Sequence, residues 1–293
     1  MTRLFTGTAA AVTTPFVDGA VDYDALRAHL KFLKENIIQS FVINGTTGEG
    51  STLTAEEKRN CLKIALEVAD KDIPVIAGTG SNNTAQTIAA SKEAEALGVD
   101  ALLVITPYYN KTSQKGLVAH FTAVADAVSI PVVLYDVPSR TGMTITPETL
   151  ELLAKHDNIV ALKDATGDFA HFSRLQAVVD DSFSFYSGND DLALPYFAQG
   201  GHGIISVLAN ALPNEYQKLF EQATTDHKAA LETHQLLFPL VDALGVDVNP
   251  IPIKALVSHL GYGEYEMRLP LVKLEEKDSD VLISLFDSIR KDG

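Results

Sequence analysis

Eight short apolar runs, each followed by a longer amphipathic stretch, follow one another at intervals averaging about 28 residues. They cover residues 8–14, 41–44, 74–78, 101–105, 131–135, 159–163, 183–186 and 203–208. Each run is apolar on both faces, the pattern of a parallel strand covered on either side. The stretches between them carry helix signals. One runs over residues 23–36, a second opens with Thr54 and Glu57 in capping-box spacing, and a third starts at Asn83 or Thr84. Eight such units predict an α/β fold, a (β/α)₈ TIM barrel. A doubly wound sheet is the competitor. No Gly-x-Gly-x-x-Gly follows the first strand, which ends in Thr14-Pro15-Phe16, and Gly78-Thr79-Gly80 is too short and misplaced for a nucleotide loop.

Beyond Leu208 the pattern is helical. Residues 212–244 hold two amphipathic helices, Pro250 and Pro252 introduce another over 253–259, and a last one covers about 278–291. One helix completes the barrel, so the surplus predicts a C-terminal helical appendage. The expected division is a catalytic barrel over residues 1–224 and a helical region over 225–293.

A length of 293 residues suits one large core, and 46% apolar residues exclude a disordered chain. No apolar run approaches the roughly 18 to 20 residues that span a bilayer. The formal net charge of −15 argues against nucleic acid, whose binding needs a basic footprint. Cys61 is the only cysteine, which leaves no disulfide framework and no cysteine-based zinc site. The first residues lack the apolar core of a signal peptide, and the expected location is the cytoplasm.

In such a barrel the chemistry collects at the C-terminal ends of the strands. The sixth strand ends in Lys163. A lysine there can simply snorkel outward or pair with Asp164. Buried, it becomes a candidate Schiff-base nucleophile, since poor hydration lowers its pKa and leaves the amine neutral. The other strand ends supply Thr46 and Thr47, Tyr108 and Tyr109, Tyr135, Arg140, Gly188 and Asn189, and Ile205 with Ser206. Tyr135 can move protons as a carbinolamine forms and loses water. The Thr46 hydroxyl donates and accepts, so it can link two phenols into a relay. Arg140 offers a fork for one carboxylate, and the amides around Thr46 and Thr47 can hold another. Each residue also has a bland role, as barrel packing, loop packing or a surface ion pair. Their shared position at one end of the strands favours a site.

Three motifs at these separations, Gly45-Thr46-Thr47-Gly48-Glu49, Tyr135-Asp136-Val137-Pro138-Ser139-Arg140-Thr141-Gly142 and Lys163-Asp164-Ala165-Thr166-Gly167, resemble the dihydrodipicolinate synthase family. That family lies in the pyruvate-dependent class I aldolase superfamily, with N-acetylneuraminate lyase, and the resemblance runs from Phe5-Thr6-Gly7 to Arg268-Leu269-Pro270. It implies a lyase of lysine and diaminopimelate biosynthesis, with Lys163 as the Schiff base to pyruvate. Tyr135, Thr46 and Tyr109 would form the proton relay, with Tyr109 reaching into a neighbouring subunit's site. Arg140 would bind the carboxylate of L-aspartate 4-semialdehyde and Thr47 that of pyruvate, while Gly188 and Ile205 would line the pocket through their backbones. No cofactor or metal is implied. The assembly would be a homotetramer, a dimer of dimers.

Two departures from the family pattern stand out. Asp136 replaces the usual Asn after the relay tyrosine, and a carboxylate there would be expected to repel anionic substrates or alter the site's pKa values. Where lysine-inhibited members carry His and Glu, this chain has Ala55, Lys58 and Gln86, although Asn82 and Tyr108 remain. Weak or absent lysine feedback is therefore expected. Two other activities compete. A sialic acid or 2-keto-3-deoxy sugar acid aldolase would use the same lysine and tyrosine, but Arg140 suits a short carboxylated aldehyde better than a polyol. A metal-dependent barrel would use Asp136, Asp164 and Asp190 as oxygen ligands but leaves Lys163 and the tyrosines without roles. A binding barrel without catalysis is the remaining option.

Overall fold

A computed structural model describes residues 3–292. Among the described residues there are ten strands: β1 (Gly7–Ala11), β2 (Phe16–Val17), β3 (Ala20–Val21), β4 (Ser40–Ile43), β5 (Val75–Gly78), β6 (Ala101–Ile105), β7 (Val132–Asp136), β8 (Ile159–Asp164), β9 (Ser184–Ser187) and β10 (Gly203–Ser206). Eight of them close into a parallel barrel, in the order β1-β10-β9-β8-β7-β6-β5-β4. The eight apolar runs are these strands, and the expected TIM barrel is the fold. The other two, β2 and β3, form a small antiparallel hairpin. The sequence reading lacks this hairpin, although its turn, Asp18-Gly19, takes positive φ at both residues, as a two-residue hairpin turn requires.

Around the barrel lie α1 (Tyr23–Glu35), α2 (Ala55–Ala69), α3 (Thr84–Leu97), α4 (Gln114–Ala125), α5 (Pro138–Thr141), α6 (Pro147–Leu153), α7 (Phe169–Gln176), α8 (Ala193–Ala198) and α9 (Pro213–Thr225). Local chemistry sets several starts. The Thr54 hydroxyl accepts the Glu57 N–H while the Glu57 carboxylate accepts the Thr54 N–H, and Asn83 caps α3 from its side chain. The chain continues as α10 (His227–Ala243), α11 (Ile251–His259) and α12 (Glu276–Asp292). These helices share a core with α8, α9 and β10, formed by Phe197, Ile204, Tyr216, Leu237, Leu256 and Phe286 among others.

Strand alternation divides the remaining apolar side chains. Ala9, Val42, Ile76, Val133, Ala161, Tyr186 and Ile205 fill the barrel interior, whereas Phe41, Leu102, Leu134 and Leu162 face the helices. Each fully buried aliphatic side chain stabilises the fold by roughly 1.5–3 kcal/mol. Closure between the first and last strands is reinforced beyond their pairing. The Asn210 amide donates to the carbonyls of Ala11 (2.7 Å) and Val207 (2.9 Å) and accepts the Thr13 N–H (3.1 Å). That stitch lies at the end of the barrel where the candidate residues sit. Among the described residues, no helix is long and apolar enough to cross a membrane.

Candidate active site

β7 and β8 run side by side with Tyr135 opposite Lys163 and Asp136 opposite Asp164. The period of two then sends Tyr135 and Lys163 into the barrel and both aspartates outward. The Lys163 side chain does not pair with Asp164, whose carboxylate accepts from the Thr166 N–H and hydroxyl instead. Lys163 is 5% exposed, and its ammonium nitrogen lies 4.6 Å from the centre of the Tyr135 ring.

Burial decides the electrostatics. Loss of hydration pushes the Lys163 amine down to about 8; the Asp190 carboxylate opposes this and the Arg140 guanidinium adds to it. Asp190 is held by the Ser206 hydroxyl at 2.5 Å and by the Val207 and Leu208 N–H groups, both at 2.9 Å. Tyr135 is pushed up to about 12, chiefly by burial, with Arg140 and the Thr46 hydroxyl favouring the phenolate in opposition. The pair therefore offers a readily neutral amine beside a phenol that keeps its proton. Gly188 makes room for the lysine: a methyl group there would stand 2.7 Å from the Ala165 methyl and 3.2 Å from Lys163 Cε.

The loop after β4 carries Thr46 and Thr47. Its turn is closed by the Glu49 N–H to the Thr46 carbonyl (3.0 Å) and the Gly50 N–H to the Gly45 carbonyl (3.1 Å). Any side chain at Gly50 would collide with the Asn44 carbonyl, so the tight return needs glycine. Arg140 comes from α5, directly after β7, and stands exposed at the cavity mouth.

Thr46, Thr47, Tyr135, Arg140, Lys163 and Gly188 all line one cavity of about 180 Å³. Six of the eight sequence candidates thus meet in a space suited to a small keto acid. The other two do not. Ile205 is fully buried in the barrel interior with Tyr135, and Val207, two residues on, reaches the cavity instead. Tyr109 is 93% exposed with φ +67°, away from its own chain's cavity.

The expectation that Asp136 repels anionic substrates is corrected, whereas its carboxylate does help to raise the Tyr135 phenol. Its carboxylate is 0% exposed on the helix-facing side of β7, accepts the Ile145 N–H at 2.8 Å, and does not line the cavity. Burial, aided by Asp164, raises it to about 7 against the Ile145 hydrogen bond. It presents no charge to a substrate. The three aspartates of the metal reading also do not converge: Asp136 and Asp164 face outward, and Asp190 is spent on Ser206, Val207 and Leu208. Among the described residues, no three His, Cys, Asp or Glu side chains are placed to hold a metal ion.

One wall residue escaped the sequence reading. Asn249 donates its amide to the Thr47 hydroxyl at 3.0 Å, and its backbone carbonyl accepts from Arg140 at 2.9 Å. The only sequence signal was Asn249-Pro250 ahead of α11, which marks a turn and not a site.

The chain matches the model of the dihydrodipicolinate synthetase family over residues 4–288. It is 53% identical to a 4-hydroxy-tetrahydrodipicolinate synthase of Macrococcus caseolyticus over 287 residues, 98% of this chain and 97% of that one. Among solved structures, the dihydrodipicolinate synthase of Aquifex aeolicus superposes with a TM-score of 0.95 at 39% identity, covering 98% of both chains. The Cyanidioschyzon merolae enzyme, solved with lysine bound, gives a TM-score of 0.95 at 36% identity over 99% of each chain.

Proposed function

The chain belongs to the dihydrodipicolinate synthetase family, and on that premise we propose that it condenses pyruvate with L-aspartate 4-semialdehyde. The product is 4-hydroxy-tetrahydrodipicolinate, and the class is a Schiff-base-forming lyase of lysine and diaminopimelate biosynthesis. The observation that carries this reading is Lys163, buried beside Tyr135 at the end of β8 with its amine pushed down to about 8.

The neutral Lys163 amine attacks the keto carbon of pyruvate and forms a carbinolamine. Tyr135 donates a proton to the departing hydroxyl, which leaves as water, and the iminium remains. Loss of a proton from the methyl carbon gives the enamine. That carbon attacks the aldehyde, whose oxygen takes up a proton. The substrate's own amine then displaces Lys163 from the iminium carbon, closes the ring and frees the enzyme. The iminium is the electron sink, so this route calls on no further cofactor.

Position in the cavity and the family resemblance support the remaining assignments. Thr47 and the loop amides hold the pyruvate carboxylate. Arg140 at the mouth holds the carboxylate of the incoming aldehyde, where a planar fork is the suitable donor. Thr46, beside Tyr135, passes protons on. Gly188 completes the floor, where Val207 takes the place expected of Ile205. Tyr109, exposed on left-handed backbone, reaches the Thr46–Tyr135 pair of a second copy, in a homotetramer built from two dimers. The site of action is the cytoplasm.

Pyruvate consumption in the presence of L-aspartate 4-semialdehyde, measured beside cleavage of N-acetylneuraminate, tests the reading. Turnover only with the semialdehyde is expected. Preferential cleavage of the sugar acid would overturn it in favour of an aldolase using the same lysine.

A further inference from the structure

The mechanism above leaves one buried ion pair without a task. Glu49 lies in the loop that carries Thr46 and Thr47, and Lys254 lies on α11, 205 residues later. The Lys254 ammonium is 2.6 Å from Glu49 Oε1, and the two side chains are 3% and 1% exposed. The second carboxylate oxygen, Oε2, accepts the backbone N–H of Arg268 at 3.2 Å. Lys254 and Arg268 also lie over the Phe16 ring, at 4.3 and 4.6 Å from its centre. Arg268 then donates to the Thr52 carbonyl, the Gly19 carbonyl and the Glu57 carboxylate. The return of the loop is therefore held by residues from the far end of the chain.

Stability alone does not account for such a pair. Removing two charges from water costs about as much as their attraction returns, so an apolar pair of the same volume would hold the fold as well. A charged pair adds direction. Its hydrogen bonds fix where the Glu49 carboxylate sits, and Glu49 has φ +53°, a backbone state that a non-glycine residue holds only when its surroundings dictate it. The Glu49 N–H in turn bonds the Thr46 carbonyl. From the approach to α11, Asn249 grips the Thr47 hydroxyl. Both ends of this contact converge on the two threonines.

We propose that the buried Glu49–Lys254 pair is a positioning device for pyruvate, locking the loop so that Thr46 faces Tyr135 and Thr47 faces the keto acid's carboxylate. The proposal rests on the pyruvate reading above. It makes α11 a working part of the site, with Glu49 and Lys254 acting through the threonines and never touching the substrate.

Two variants test it, with the parent enzyme as reference. Glu49→Gln combined with Lys254→Met removes both charges together, which avoids leaving one charge buried alone. Glu49→Asp keeps both charges but retracts the carboxylate by one methylene, and it decides the matter alone if the double variant does not fold. The expected result is a pyruvate KM raised about tenfold in the double variant and about fivefold in Glu49→Asp, with kcat at saturating pyruvate also lowered, by about three- to tenfold, as Thr46 loses its place beside Tyr135. A purely structural pair would lower the melting temperature and leave the pyruvate KM of the folded enzyme within about twofold, and that outcome would overturn the proposal. Failure of the parent to form a borohydride-reducible pyruvate adduct would instead overturn the reading on which it rests.

Discussion

Lys163 and Tyr135 face each other across β8 and β7, with the lysine nitrogen 4.6 Å from the centre of the phenol ring. The register of two parallel strands sets this meeting, and the barrel buries both groups. Burial then acts oppositely on them, since in each case it disfavours the charged form. The amine is pushed down to about 8 and the phenol up to about 12. Near neutral pH the amine is free to attack far more often than an exposed lysine, while the phenol is a proton donor.

This sets the pH dependence. The reactive form of Lys163 is deprotonated, so kcat/KM for pyruvate rises with pH and levels off above about 8. Initial rates between pH 6 and pH 11, expressed as kcat/KM, provide the check. A rise that continues past pH 10 would mean a lysine with the properties of a solvated one.

Tyr135→Phe keeps the ring against which the lysine packs and removes the proton. The expected loss in kcat is about 10² to 10⁴-fold, the usual range for a general acid–base group. The melting temperature should move by no more than a few degrees. Steady-state kinetics and a thermal scan on the same preparation check both parts.

Asp136 yields a prediction about stability. Its native pKa of about 7 lies above the ordinary 3.8, so the native state binds the proton more tightly than the unfolded chain does. Stability contributed by that proton is complete below about pH 4 and is lost as pH rises toward 7. Asp136→Asn keeps the shape without the charge. It should be the more stable protein at pH 8, by on the order of a few kcal/mol, and should show no advantage near pH 4. Because the carboxylate faces away from the cavity, kcat/KM should stay within about threefold. Denaturant titrations at the two pH values, with kinetics at pH 8, test all three statements.

Lysine feedback should be weak. A cavity of about 480 Å³ lies beside the catalytic one, with Lys58, Gln86 and Tyr108 among its walls and Arg140 shared between them. It sets two cationic side chains and no carboxylate against any bound ammonium. Ala55, by contrast, lies outside its walls. Millimolar lysine should cost less than about tenfold in activity, and strong inhibition in a rate assay would contradict this charge argument.

The barrel was legible because its strands are covered on both faces and read as unbroken apolar runs. Six candidate residues that line the cavity were legible for a related reason: in this fold, chemistry collects at the ends of the strands. What escaped depended on contacts remote in sequence or on the face of a strand. Asn249 meets Thr47 across 202 residues, and no local pattern announces that. Asp136 follows an inward tyrosine and must point outward, so alternation alone could have placed it. Ile205 lies in the right strand but below the cavity that Val207 reaches. The Phe16–Val21 hairpin was hidden by strands of only two residues, although its Asp18-Gly19 turn was visible.

The central claim is that Lys163 carries pyruvate, and borohydride reduction of the enzyme with pyruvate tests it most directly. Intact-mass and peptide mass spectrometry would then locate the modification. The account predicts one reduced pyruvyl group per chain, on Lys163, lost when L-aspartate 4-semialdehyde is added before the reductant. An unmodified Lys163 in active enzyme, or an adduct on another lysine, would contradict it.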